Sequence, residues 1–570
     1  MEFFHFLRTF LPLRNPIGFG ASDFIQLFTA LLLVVLVLGS PWMEPHTRRL
    51  RGHTAWSMLV LAILPIVLRL ALVPQNPIPS PNVSDDFSYV LLADTLRHLR
   101  LANPAHPLHQ FFETFFVLQQ PTYSSIFPLG QGMALAIGWI LFGNPWAGVA
   151  ISIGAFCALC YWMLRAWTTP GWAFIGGLLA VIQFGPLNQW MNSFWGGAVS
   201  GIAGCLVFGS LPRLLGAGLR RDATLLGLGV GLQLVTRPYE SIFLVASAFL
   251  LLLPALHERE QVRRLLRLGP IALAVVTPAI ALMLLQNRAV TGSWMTIPYM
   301  LSRYQYGVPA TFTVQPNPTP HVALTREQEF DYEAQSAAHG EGIDTFATYC
   351  YRWASRIRYY RFFLLPPLYF AIPFFLLRMR EFRFTCVFIS IFLFSLGTNF
   401  YPYFYSHYIA AIACLFLLIS VAGLERLYAM SGRFSGRFAA QVIMFLCAAH
   451  FVFWYGIHAS RDEDLLRDMS RFETWDAINR PDPDGRIAIN RRLADEPGKQ
   501  LVFVRYFPQH QFVEWVHNAA DIDAAPVVFA RDLGPADDEK LLHYYPNRTA
   551  WLLEPDFRPP RLTRYQPDAN

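Results

Sequence analysis

The sequence predicts a polytopic α-helical membrane protein with about eleven or twelve spans, followed by a small C-terminal soluble α/β domain. Three observations carry this. Of 570 residues, 54% are hydrophobic and only 15% charged, with a mean hydropathy of +0.33; an average soluble domain has roughly 25% charged and 45–50% apolar residues, so a soluble enzyme of this length is excluded. Apolar stretches near the ~20 residues needed to cross about 30 Å of hydrocarbon recur along most of the chain. After residue 458 the composition changes to that of a soluble domain.

The expected spans are 22–41, 54–73, 146–164, 172–189, 197–212, 222–236, 240–256, 268–287, 361–378, 384–400, 408–425 and 438–457. The first apolar run begins past residue 20, is full length and lacks a small-residue cleavage site, so it reads as an anchor rather than a cleavable leader. Arginine-rich short loops at 44–53, 213–221, 257–267, 378–383 and 426–437 orient the chain, because such loops stay on the cytoplasmic side. All five share that side only if the apolar stretch 128–142 does not cross. It opens with Pro128 and carries Gly130, Gln131 and Gly132, and reads as a helix lying on or dipping into the outer leaflet. Residues 74–145, 288–360 and 458–570 then face outward, the periplasm or exterior of a bacterium, and the expected location is a bacterial inner membrane with the C-terminal domain outside. The net charge of +6 follows from these loops and implies no nucleic acid. The domain plan is an extra span and cytoplasmic loop at 1–53, a membrane domain at 54–457 and an extracytoplasmic α/β domain at 458–570.

The loop beginning at residue 74 is Pro-rich and then reads as a surface helix from Ser84, taken as its N-cap, through Asp85, Asp86 and YVLLADTLRHL. Two carboxylates at a helix start can cap it and complement its dipole. Alternatively, one is a general base, for which desolvation near lipid raises the pKa towards the working pH.

An early span, an outer Asp85-Asp86 pair followed by Tyr89, a surface helix, a hairpin led by Phe127-Pro128-Leu129 and closed by Leu141-Phe142-Gly143, and then serial spans together resemble the GT-C membrane glycosyltransferases. The likeness is to the lipid A aminoarabinose transferase and protein O-mannosyltransferase branch, over roughly residues 54–290. The resemblance implies transfer, with inversion, of a sugar from a polyprenyl-phosphate donor to an acceptor hydroxyl on a glycolipid, polysaccharide or protein. It implies Asp86 or Asp85 as base, and Tyr89 at the substrate.

The aminoarabinose transferases carry a Lys before the hairpin Pro, where this chain has Ile126-Phe127, and an acid in the outer turn 190–196, where this chain has none. A phosphate leaving group still requires positive charge. Lysine is confined to Lys499 and Lys540, so within the membrane domain the cation is Arg or His. Arg237, in LVTRPYES, has the bidentate donor set for phosphate, or else snorkels or pairs with Glu240; Arg303 is a second candidate. Asn192 and Trp195 of the outer turn could hydrogen-bond to and stack on a sugar, or Trp195 could only anchor at the interface, and His407, in an aromatic belt YPYFYSHYIAA, could meet the substrate and handle a proton or be a satisfied interfacial histidine. His106 and His109 have metal-like spacing without further clustered ligands, so no metal or other cofactor is expected beyond the lipid-linked co-substrate. Cys157 and Cys160 lie inside a span and read as packing residues.

Segment 288–360 is expected to be an ordered lid of turns and short extended pieces, helical over TREQEFDYEAQSAAHGEG. In the tail, DEDLLRDMSRFETW and DDEKLLHYY read as helices and KQLVFVRY, APVVFARDL and AWLLEPD as strands. Glu514, Trp515, His517, Asp521 and Asp523 could recognise an acceptor or only cap and turn. Two other classes compete. A transporter or lipid flippase requires charges at mid-depth along a wet path, and a scaffold requires that the acids do nothing.

Overall fold

A computed structural model describes residues 54–340, 344–430, 436–470, 485–510 and 513–566. The expected first span, 22–41, and the whole 1–53 segment lie outside the described residues.

Among the described residues, seven helices are long and apolar enough to cross a membrane, eight if a bent pair counts as one span. In chain order the helices of the bundle are α1 (Thr54–Ala71), α4 (Trp146–Leu164), α5 (Pro170–Phe184), α6 (Ala198–Gly216), α7 (Arg220–Thr236), α8 (Pro238–Leu252), α9 (Arg259–Thr291), α13 (Phe382–Thr398), α14 (Ala413–Tyr428) and α15 (Gly436–Ala459). Some are short. The 15 residues of α5 rise only about 22 Å. The span containing α14 forms the centre, with 94% of its apolar window buried, whereas α9 runs along the rim with 6% buried and presents Leu266, Leu273 and Leu285 outward, as a lipid-facing helix does.

The ends of the bundle differ. At one end Arg165 donates to Thr54, Arg213 to the Trp162 carbonyl, Arg264 to the Gly216 carbonyl and Arg378 to Glu425. At the other, Arg69 Nε donates to Asn192 Oδ1 at 2.7 Å and Trp146 Nε1 to the Met191 carbonyl at 2.8 Å. The end of α1 and the start of α4 therefore meet the same turn, and everything between them leaves and re-enters at one end. This includes the amphipathic α2 (Ser84–Arg97) and the apolar α3 (Leu129–Phe142), so the stretch 128–142 does not cross. It packs on α4 through glycine: a Cβ on Gly148 would lie 2.1 Å from the Ala134 carbonyl oxygen, so only glycine allows this approach.

The expected span 361–378 departs from a continuous helix. It descends as short helical turns at Ile357–Phe363, Pro366–Ala371, Ile372–Leu376 and Leu377–Arg380, bent by 106° from the preceding segment. Pro366, Pro367 and Pro373 remove amide donors and clash with a helix interior. The lid also differs from the expected turns and extended pieces: Pro298–Tyr306 is helical (α10), as is Phe346–Arg356 (α12). The expected polar helix is α11 (Arg326–His339), opened by a capping box between Thr325 and Gln328.

In the tail, α16 (Glu463–Ser470) and α17 (Arg486–Asp495) lead into strands β4 (Lys499–Val504) and β5 (Val527–Arg531), helix α18 (Pro535–Tyr544), and strands β6 (Arg548–Glu554) and β7 (Arg561–Arg564). The sheet order is β5-β4-β6-β7, parallel except for the antiparallel β7. Three short strands of the first loop, β1 (Asn103–Pro104), β2 (Val117–Leu118) and β3 (Thr122–Ser125), pair in the order β1-β3-β2. Leu91, Phe111, Phe112 and Tyr123 of that loop share one buried cluster with Leu501, Phe503, Val528 and Leu541 of the tail.

Candidate active site

Helix α2 begins where the proline run ends. Its N-cap is Val83, extended at φ −92° and ψ 159°, not Ser84, which is already the first helical residue and makes no cap. The backbone amides at this helix start are partly met by Asp86, whose Oδ2 accepts from the Asn82 amide at 3.3 Å and whose Oδ1 accepts from the Phe194 amide at 2.7 Å. Asp86 is buried. It fastens the helix to the turn 190–196. Burial raises its pKa to about 6, against the pull of the amides of Phe194, Asn82, Val83 and Trp195.

Asp85 is half-buried and, among the described residues, accepts no hydrogen bond from another residue. Burial raises its pKa to about 7; the neighbouring carboxylates of Asp86 and Asp331 add to the rise and the Arg237 guanidinium opposes it. A carboxylate with no donor beyond its own amide, poised near neutrality and still reachable by solvent, is chemically available to take a proton.

Arg237 ends α7, its amide donating to the Gln233 carbonyl at 2.7 Å, and Pro238 starts α8. The guanidinium is 3.6 Å from Glu240 Oε1 and lies 5.0 Å from the centre of the Tyr408 ring. Glu240 also accepts from the Tyr401 hydroxyl at 3.3 Å. The α3 hairpin comes within touching distance: a Cβ on Gly130 would lie 2.0 Å from Thr236 Oγ1, one residue before Arg237. Tyr89 stacks on Phe127, ring centres 4.2 Å apart at 10°. Burial raises its pKa to about 12, opposed by Arg237.

The remaining sequence candidates are placed as follows. Arg303, in α10, donates to the carbonyls of Pro309 at 2.9 Å and Ala310 at 3.1 Å, which ties down the end of its helix. Asn192 accepts from Arg69 and donates to the Asn188 and Pro186 carbonyls, shaping its own turn. Trp195 and His407 lie together, ring centres 5.1 Å apart, with Tyr405 beside both. His106 Nε2 is 3.2 Å from the Tyr545 hydroxyl, and His109 Nε2 is 2.7 Å from Gln120 Nε2. Among the described residues no three His, Cys, Asp or Glu side chains gather as a metal site.

Sequence reasoning passed over two groups. Asp331, buried in α11, accepts from Gln335 Nε2 at 2.9 Å, and Gln335 Oε1 accepts from the Tyr403 hydroxyl at 3.3 Å. Burial raises the Asp331 pKa to about 6. The second group is the tyrosines around Arg237 and Asp85: Tyr299, Tyr401, Tyr403 and Tyr408. Aromatic faces and hydroxyls of this kind suit a polyhydroxylated ring. A capping box fixes the phase of α11 and puts Asp331 and Gln335 on one face, the only local signal for Asp331.

No protein-family model and no curated protein matches the chain. Among solved structures it is similar to ArnT from Cupriavidus metallidurans, in the apo state at 12% identity and bound to undecaprenyl phosphate at 10%, each covering 88% of this chain and 93% of that one with a TM-score of 0.47. It is also similar to the Archaeoglobus fulgidus oligosaccharyltransferase in complex with Zn and sulfate, at 12% identity over 87% of this chain and 67% of that one, TM-score 0.42.

Proposed function

We propose that this multi-pass membrane protein is a glycosyltransferase, and specifically one that moves a sugar from a polyprenyl-phosphate to an acceptor hydroxyl. Asp85 takes the proton of the acceptor hydroxyl. The oxygen attacks the anomeric carbon from the face opposite the phosphate, so configuration inverts. The bond from that carbon to the phosphate oxygen breaks with its electron pair on the oxygen, and Arg237 meets the charge that develops there. The acceptor is a glycolipid, polysaccharide or protein, and no metal or cofactor takes part. The reaction side is taken as the outer one, because Arg165, Arg213, Arg264 and Arg378 gather at the opposite end of the bundle.

The observation that carries this reading is the division between the two acids: Asp86 is spent on the Phe194 and Asn82 amides, while Asp85 takes no hydrogen bond from another described residue and lies within the electrostatic reach of Arg237, a charge suited to a phosphate. The test is transfer from a radiolabelled polyprenyl-phosphate sugar pool in membrane vesicles, wild type beside Asp85→Asn at matched abundance. Loss in the variant supports the reading. Unchanged transfer in the variant removes the base, and no wild-type transfer with any donor turns the reading towards a transporter or flippase.

A further inference from the structure

The C-terminal unit grips α2 at three heights. Val513 forms an antiparallel bridge with Val83, the residue before the helix. His517 stacks on Phe87 in the first turn, ring centres 3.7 Å apart at 16°. The Ala520 amide donates to Asp94 Oδ2 at 2.6 Å, about two turns further on. The His517 ring is itself sandwiched, with Phe529 of β5 behind it at 5.6 Å and 21°. Arg486 of α17 braces this stack: its Nη1 is 3.0 Å from His517 Nε2, its guanidinium lies 4.6 Å from the Phe87 ring centre and 4.0 Å from that of Trp515, and it donates to the Glu514 carbonyl. An imidazole nitrogen that accepts from a guanidinium is unprotonated, so the ring is neutral and packs as a flat aromatic plate.

Successive helix residues point about 100° apart, so Phe87 and Asp85 are separated by about 200°. Clamping Phe87 against the tail therefore turns Asp85 to the opposite side of α2, towards Arg237. A rotation of the helix by a fraction of a step would move the carboxylate by an ångström or more, and a misplacement of about 1 Å can cost on the order of 10²-fold in rate.

We propose that the C-terminal unit is a positioning part of the active site: His517, held between Phe87 and Phe529, fixes the rotation of α2 and so the direction of Asp85. His517 is a positioning residue, since it touches Phe87 and not the reacting atoms. The catalytic consequence rests on the transferase reading above; the positioning itself does not.

The test uses the full chain in lipid nanodiscs with two readouts. The first is transfer from the polyprenyl-phosphate sugar pool for His517→Ala and His517→Phe. Alanine removes the plate and phenylalanine keeps it, so His517→Ala is expected to lose on the order of 10²-fold in kcat with KM little changed, and His517→Phe to recover most of the loss. The second needs no sugar: Asp85→Cys is introduced in a Cys350→Ser background, and its rate of reaction with methanethiosulfonate ethylsulfonate is compared with and without His517→Ala. The labelling rate is expected to change with His517→Ala and to return with His517→Phe. If His517→Ala yields no monodisperse protein, Phe529→Leu loosens the same stack from behind. The proposal is overturned if alanine leaves both readouts as in wild type, or if phenylalanine fails as badly as alanine. Ring-dependent labelling without any wild-type transfer would sink the transferase reading and leave the positioning standing.

Discussion

The Phe194 amide lies 2.7 Å from the carboxylate of Asp86, 108 residues before it in the chain. That bond gives two adjacent acids different work. Asp85→Asn is expected to lower kcat on the order of 10²–10⁴-fold, the usual contribution of a general base. Asp86→Asn keeps a carbonyl acceptor but loses charge assistance, so its main effect is on stability, about 1–3 kcal/mol. Transfer assays and thermal melts of the two variants, run in parallel, separate these outcomes; a larger kcat loss in Asp86→Asn than in Asp85→Asn reverses the assignment.

The pH profile follows from Asp85. A base must be ionised, so transfer rises with pH through about 7 and then levels, and the step moves or vanishes in Asp85→Asn. Stability runs the other way. Burial raises the folded-state pKa above the ordinary carboxylate value of 3.8, so the group's contribution is complete below that value and is lost as pH rises through about 7. Asp85→Asn is therefore expected to melt above wild type at about pH 8, with the gap closing towards about pH 4. Differential scanning fluorimetry across that window reads the sign directly.

Arg237 and Glu240 form an ion pair in which only Arg237 has a further partner to offer a phosphate. Arg237→Gln should cost on the order of 10²–10³-fold in kcat, and Arg237→Lys should recover part of it, because an ammonium lacks the bidentate fork. The single Gln variant also strands the Glu240 carboxylate, at about 3–5 kcal/mol. Adding Glu240→Gln should restore the melting temperature and leave transfer low. Recovery of both by the double variant would show that Arg237 serves the fold alone.

Among the described residues, the lid is tied to the tail by a buried ion pair, Arg531 Nη2 to Glu327 Oε2 at 2.5 Å. Glu327→Gln should loosen helix 326–339 without disturbing the membrane core. Hydrogen exchange measured by mass spectrometry is expected to speed up in that helix and in the loop before it, and to stay unchanged in residues 413–428. Uniform acceleration everywhere would instead mean that the pair supports the whole fold.

Much of this arrangement is written locally. The acids beside a proline run and the apolar hairpin with its glycines are legible because each follows a short period or a steric rule, and so are the three strands at 499–504, 527–531 and 548–554. Residues 361–378 mislead because an apolar run reports affinity for lipid, not helix continuity, which Pro366, Pro367 and Pro373 remove. The strand Arg561–Arg564 escapes notice because RLTR carries no apolar alternation. Asp331 is the instructive miss. The capping box at Thr325 sets its phase but not which face of the helix turns inward, and its approach to Asp85 is produced by the return of the chain across several spans. Tyr401, Tyr403 and Tyr408 read as an interfacial belt for the same reason: composition gives their depth and not which way they face.

The core shared by Leu91, Phe111 and Tyr123 with Leu501, Val528 and Leu541 also sets an order of birth. The first loop is made early, yet the cluster it shares with the tail stays open on that side until the tail arrives, Ala520 coming 426 residues after its partner Asp94. At roughly 5–20 residues per second that wait is about 20–85 s. During this interval the side of α2 that carries Phe87 is without its tail clamp, and a nascent chain that stalls before β4 carries both acids but not His517. On the transferase reading, competence therefore waits until residues 485–566 have been made and have folded onto helix α2.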